Sequence, residues 1–96
     1  MDILITYDVN TQDSAGRRRL RRVAKVCTGY GQRVQLSVFE CTVSDVQYEE
    51  LKERLIEEIN DEQDSLRIYR LPGGREGCAE SFGVDTYVDF NEPMIV

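Results

Sequence analysis

Along the first ten residues Ile3, Ile5 and Tyr7 alternate with Leu4, Thr6 and Asp8, an apolar period of two that predicts a strand ending in a lone carboxylate. The period then changes. Leu20, Val23, Ala24 and Cys27 fall at i, i+3, i+4 and i+7, which predicts a helix capped by Asp13 or Ser14 and stopped by Gly29 and Gly31. Residues 33 to 43 return to a period of two, with Val34, Leu36 and Val38 on one face and Gln35, Ser37 and Phe39 on the other. That stretch is long enough for one bent strand or two short ones. Ser44 and Gln47 form a capping box for a second helix with Tyr48, Leu51, Leu55 and Ile59 inward, and "SLRIYRL", residues 65 to 71, is a further strand. "PGGREG" breaks the order, and "VDTYVDF", residues 84 to 90, is a last short strand before Pro93.

The order β-α-β-β-α-β predicts an α+β fold, a ferredoxin-like sandwich with both helices on one face of the sheet and an additional C-terminal strand. The opposite face stays open. Alternation assigns Leu4, Thr6, Asp8, Gln35, Ser37 and Phe39 to it, a partly apolar surface suited to a second copy, with Asp8 near the dimer axis. Residues 1–72 form the ferredoxin-like domain and 73–83 a glycine-containing hinge. Residues 84–96 are a tail and strand expected to pack on the partner protomer.

A chain of 96 residues supports one small core, and a domain of this size gains from self-association. A homodimer is expected. No apolar run is long enough to cross a bilayer and the start has no basic leader, so a cytoplasmic protein without membrane contact is expected. Cys27, Cys41 and Cys78 include no C-x-x-C pair, histidine is absent, and the thiols read as small apolar fillers.

A formal charge of −6 argues against nucleic acid, but the charges are segregated. Between Ser14 and Phe39 stand Arg17, Arg18, Arg19, Arg21, Arg22, Lys25 and Arg33 with no acid, whereas Glu40 to Glu62 holds nine acids against two bases. A polyanion meets the local field, not the sum. At helical spacing Arg18, Arg21, Arg22 and Lys25 share one arc opposite the apolar stripe, with Arg17 and Arg19 at its flanks. Like charges at i and i+4 destabilise an isolated helix by a few tenths of a kcal/mol each, and a phosphate backbone would offset that. The competing reading is a solvated face. Asp8 likewise has two readings: a turn-starting Asp beside Asn10 and Thr11, or a metal ligand. "GGREG" lacks the Lys-Ser/Thr of a phosphate-binding P-loop and reads as a hinge.

"LITYDV", "GRRRLRRVAKVCTGYGQRVQLSVFEC" and "DSLRIYRLPG" together resemble the CRISPR-associated protein 2 family, and "VDFNEPMIV" is similar to the tails of I-C type members. The resemblance implies a homodimer with metal-dependent endonuclease activity on double-stranded DNA or single-stranded RNA. It also implies a DNA-holding scaffold role with the CRISPR integrase in spacer acquisition. Asp8 becomes the catalytic and metal-binding residue, paired with its twin across the dimer around Mg²⁺ or another divalent cation such as Mn²⁺. Arg17, Arg19, Arg33 and Phe39 match positions implicated near the active site or substrate, and Tyr7 and Ser37 fall beside them. Three classes compete: a metal-dependent nuclease working through Asp8, a catalytically silent nucleic-acid-binding scaffold, and an unrelated RNA-binding or regulatory module. The last is disfavoured because "RVQLSVFE" lacks the Gly-aromatic pattern of an RNA-stacking strand.

Overall fold

Alternation along β1 (Asp2–Asp8) sends Ile3, Ile5 and Tyr7 to the same side, and all three are buried there in the computed structural model, which describes residues 1–83. β1 is central because it is the strand with apolar residues to offer on both faces. The sheet order is β2-β3-β1-β4, and β1 pairs antiparallel with β3 (Val38–Thr42) and with β4 (Ser65–Arg70). α1 (Ser14–Thr28) and α2 (Asp45–Glu58) cover the side that buries Ile3 and Ile5. The sandwich is the α+β arrangement in βαββαβ order that the periodicity predicts. Among the described residues no helix is long and apolar enough to cross a membrane.

Both helices start where their caps dictate. The Asp13 carboxylate accepts from the Gly16 amide at 2.7 Å, which satisfies one of the amides left over at the start of α1. At α2 both halves of the capping box form: Ser44 Oγ accepts from the Gln47 amide and Gln47 Oε1 from the Ser44 amide. α1 buries Val23 and Cys27 fully, Val26 nearly so and Leu20 and Ala24 partly, while α2 contributes Leu51 and Leu55. Against them lie Ile3, Ile5, Phe39, Cys41 and Val43.

The stretch from 33 to 43 is two strands. A turn at Leu36 and Ser37 separates β2 (Gly31–Gln35) from β3, and a register shift follows Arg33. The turn resets the alternation, which corrects the expected face of two residues. Phe39 lies opposite Ile5, is 1% exposed and stacks on Tyr7 with ring centroids 6.2 Å apart, so it belongs to the core and not to the open face. Ser37 sits in the turn, where its carbonyl accepts from the Tyr7 amide. The open face instead carries Leu4, Thr6 and Asp8 of β1, with Gln35, Val38, Ser65, Arg67 and Tyr69 in register beside them.

After β4, Gly73 and Gly74 take φ of +79° and +83°, a region that costs other residues about 1 kcal/mol or more. They turn the chain into α3 (Arg75–Cys78), one helical turn inside the stretch read as a hinge. Arg75 is tied back by its amide to Asp2 at 2.8 Å and by its guanidinium to Glu40. Cys78 is exposed, which corrects its reading as an apolar filler: it follows the Pro72 turn and lies outside the core that takes Cys27 and Cys41. The strand expected at 84–90 and the tail to residue 96 lie outside the described residues.

Candidate active site and nucleic-acid interface

Asp8 is the last residue of β1, held in the ladder opposite Ser65, and its side chain projects from the open face at the rim of the sheet. It is exposed, and among the described residues its carboxylate accepts no hydrogen bond. A strand ends there because Val9 turns back into the core and Asn10 begins the connection to α1. The Asn10 side-chain oxygen accepts from the Gln12 amide at 3.0 Å. This side-chain turn uses Asn10, leaving Asp8 unspent.

The neighbouring carboxylate is fully spent. Asp64, immediately before β4, has a side chain with 0% exposure. Its Oδ1 accepts from the Asn10 amide at 3.0 Å and Arg19 Nη2 at 3.3 Å; its Oδ2 accepts from the Asn60 amide at 2.8 Å and Arg19 Nε at 2.9 Å. Burial pushes the Asp64 carboxyl upward, but the Arg19 guanidinium and the two amides outweigh it and hold the group below the usual carboxylate range. Sequence reasoning missed Asp64. It lies in "NDEQDS", where an acidic run looks like a solvated loop, and its only signal is its place one residue ahead of the strand that pairs with Asp8.

The predicted basic residues separate into four groups. Arg18, Arg21, Arg22 and Lys25 are exposed along α1 and form no ion pair among the described residues. Arg17 is exposed and donates to the Thr11 carbonyl at 3.3 Å, which joins the start of the helix to the loop that follows Asp8. Arg19, predicted at the flank of the arc, is turned away to Asp64 and also donates to Gln63 Oε1 at 3.1 Å. Arg33 leaves β2 with its guanidinium 5.2 Å from the centre of the Phe39 ring. Burial raises the Tyr7 phenol above its ordinary range, opposed by Arg33, so Tyr7 stays protonated and donates to the Leu36 carbonyl at 3.4 Å. Between α1 and the β2–β3 turn lies a cleft of ≈ 350 Å³ walled by Tyr7, Leu20, Ala24 and Leu36, with Arg21 and Arg33 also lining it. Tyr7, Ser37 and Phe39 therefore gather on the helix side of the rim, while Asp8 faces the open side.

Among the described residues no three Cys, Asp or Glu side chains cluster as a cation site. Asp8 offers one hard oxygen donor per chain, the right donor type for Mg²⁺, which commonly takes one or two carboxylates with water and phosphate completing the set.

The family described as CRISPR associated protein Cas2 matches residues 1–77. The chain belongs to this family. It is 51% identical over 96 residues to a protein of Moorella thermoacetica named CRISPR-associated endoribonuclease Cas2 1, covering 100% of both chains. It is 50% identical over 95 residues to a protein of Halalkalibacterium halodurans named CRISPR-associated endonuclease Cas2, covering 99% of both. Among solved structures, Streptococcus pyogenes Cas2 at pH 6.5 superposes with a TM-score of 0.77 at 49% identity, over 86% of this chain and 100% of that one. One of these two sequence relatives is thus named for RNA and the other without a nucleic-acid class.

Proposed function

We propose that the protein is a divalent-metal-dependent endonuclease hydrolysing phosphodiester bonds of double-stranded DNA or single-stranded RNA. In this reading its homodimer also serves as the DNA-binding scaffold of the CRISPR integrase during spacer acquisition. The observation that carries this is Asp8: an exposed, unengaged carboxylate at the end of the central strand, on a face suited to a second copy, beside Asp64 whose lone pairs are all used. The names of the relatives from Moorella and Halalkalibacterium agree with nuclease chemistry. Two Asp8 side chains brought together by two-fold symmetry would hold Mg²⁺ or Mn²⁺. When bound, the cation supplies the water activation and phosphate polarisation that a chain with no histidine otherwise lacks.

Each residue of the chain then has a task. Asp8 binds and orients; the ladder to Ser65 fixes the direction from which its carboxylate approaches. Arg18, Arg21, Arg22 and Lys25 hold the sugar-phosphate backbone without reading bases, since no aromatic side chain is interleaved with them on α1. Arg17, bonded to the Thr11 carbonyl, stands where the arginine helix meets the loop that follows Asp8.

A second reading is a scaffold that does not cut, favoured by the lack, among the described residues, of any cluster of three Cys, Asp or Glu side chains that could hold a cation. One comparison separates the two. Wild type and Asp8→Asn are incubated with Mg²⁺ and either duplex DNA or single-stranded RNA, with binding measured in parallel. The nuclease reading expects Asp8→Asn to lose cleavage while duplex binding is kept. Equal cleavage by both proteins removes Asp8 from the chemistry, and no cleavage by either leaves the scaffold reading.

A further inference from the structure

Asp64 is an expensive residue for a small domain. A fully buried carboxylate forfeits its hydration, and that loss is offset only where every lone pair finds a donor. Here four donors converge: the amides of Asn10 and Asn60 and two nitrogens of the Arg19 fork. They come from three separate parts of the chain, the β1–α1 connection, α1 itself and the α2–β4 connection. The point where they meet is the segment leaving Asp8. Asn10 is gripped through its amide by Asp64, and its carbonyl oxygen occupies space 1.9 Å from where a Cβ on Gly16 would stand. Asp8 itself pairs with Ser65, the residue after Asp64. The backbone of Asp8 is therefore pinned from the β4 side by the ladder and from the loop side by the carboxylate.

We propose that Asp64 is a positioning residue for Asp8, and that Arg19 acts through Asp64 and not on the nucleic acid. The resemblance places Arg19 near active site or substrate; the geometry instead commits its Nε and Nη2 to Asp64 and Gln63, leaving the phosphate track to Arg18, Arg21, Arg22 and Lys25. The proposal rests on the reading of Asp8 as the reactive carboxylate. A residue that orients such a ligand without touching the reacting atoms contributes about 10- to 100-fold in activity or metal affinity.

The test compares Asp64→Asn, Arg19→Gln and Arg21→Gln with wild type by three readouts: cleavage kinetics with Mg²⁺, the salt dependence of duplex binding, and hydrogen exchange at the Asn10 amide. Asp64→Asn is expected to lower kcat by about 10- to 100-fold with KM unchanged. It should also speed exchange at Asn10 and leave the salt slope intact. Arg19→Gln should act in the same direction more weakly, again with an unchanged slope, whereas Arg21→Gln should flatten the slope by up to about 0.9 log unit. If Asp64→Asn fails to fold, Arg19→Gln carries the test, because Asp64 then keeps both backbone amides. The proposal is overturned if Arg19→Gln flattens the salt slope as Arg21→Gln does, or if Asp64→Asn cleaves like wild type. Wild type that does not cleave defeats the nuclease reading instead; exchange at Asn10 and the Arg19 slope then decide the clamp alone, and unchanged exchange in Asp64→Asn defeats it.

Discussion

Three aspartates near β1 show how one side chain takes different roles from its surroundings. Asp2 accepts from the Arg75 amide and the Thr42 hydroxyl, Asp64 is enclosed by four donors, and Asp8 faces solvent. The Arg75 amide and Thr42 hold the Asp2 carboxyl below its ordinary value of 3.8, and Asp64 is held below it as well. Groups whose folded pKa is depressed stabilise the protein above the unfolded pKa and lose that contribution as pH falls through the folded one. Thermal unfolding followed from neutral pH downward should therefore hold level until about pH 5 and then fall. Asp2→Asn and Asp64→Asn should each flatten that fall, and an unchanged slope in both would contradict the assignment. The thiols divide in the same way. Burial pushes Cys27 and Cys41 up to about 12, while Cys78 is exposed, so a thiol reagent should label one cysteine in the native protein and all three after denaturation. Native labelling of three would place Cys27 and Cys41 wrongly. Asp8 is legible in the sequence because a strand pattern stops at it; Asp64 is not, since burial of an acid is decided by donors distant in the chain.

Helices and strands are legible where period and caps agree. Asp13, Ser44 and Gln47 cap the helices they announce, because a cap is a local bond between residues three apart. The face of Phe39 escapes the pattern for an equally physical reason. A strict period of two assumes an unbroken strand, and the turn at Leu36 and Ser37 restarts the count. On α1 the pattern assigns the arc correctly except at Arg19, which Asp64 draws away. The four residues left exposed carry a prediction of their own. Replacing Arg18, Arg21 and Arg22 together by Ala should weaken duplex binding and reduce its salt dependence by up to about 0.9 log unit for each phosphate that is no longer neutralised. Fold content by circular dichroism should be unchanged, because none of the three is buried. An unaltered salt slope would return these arginines to a solvated helix face.

For the whole molecule, charge is distributed by layer. α1 presents arginines and α2 presents Glu49, Glu50, Glu53 and Glu57, so the helical side carries both signs next to each other and the formal charge of −6 describes neither. The open sheet face is milder: Leu4 and Val38 are half-buried, Tyr69 is 44% exposed, and Asp8 stands at its rim. If a second copy covers this face, Val38→Arg should yield a folded monomer by sedimentation velocity and abolish cleavage, while each monomer keeps its arginine arc. A dimer that persists and cuts would move the interface elsewhere.

The central place of β1 has a consequence for synthesis. Its two neighbours arrive late, β3 at Val38–Thr42 and β4 only at Ser65–Arg70, so the first strand made waits for the last to close around it. Pairing between such distant segments is the slow part of folding. A nascent chain still short of Arg70, or a product of premature termination before it, carries Asp8 without the full β4 ladder beside it, so the direction of this carboxylate is fixed last although the residue is translated among the first.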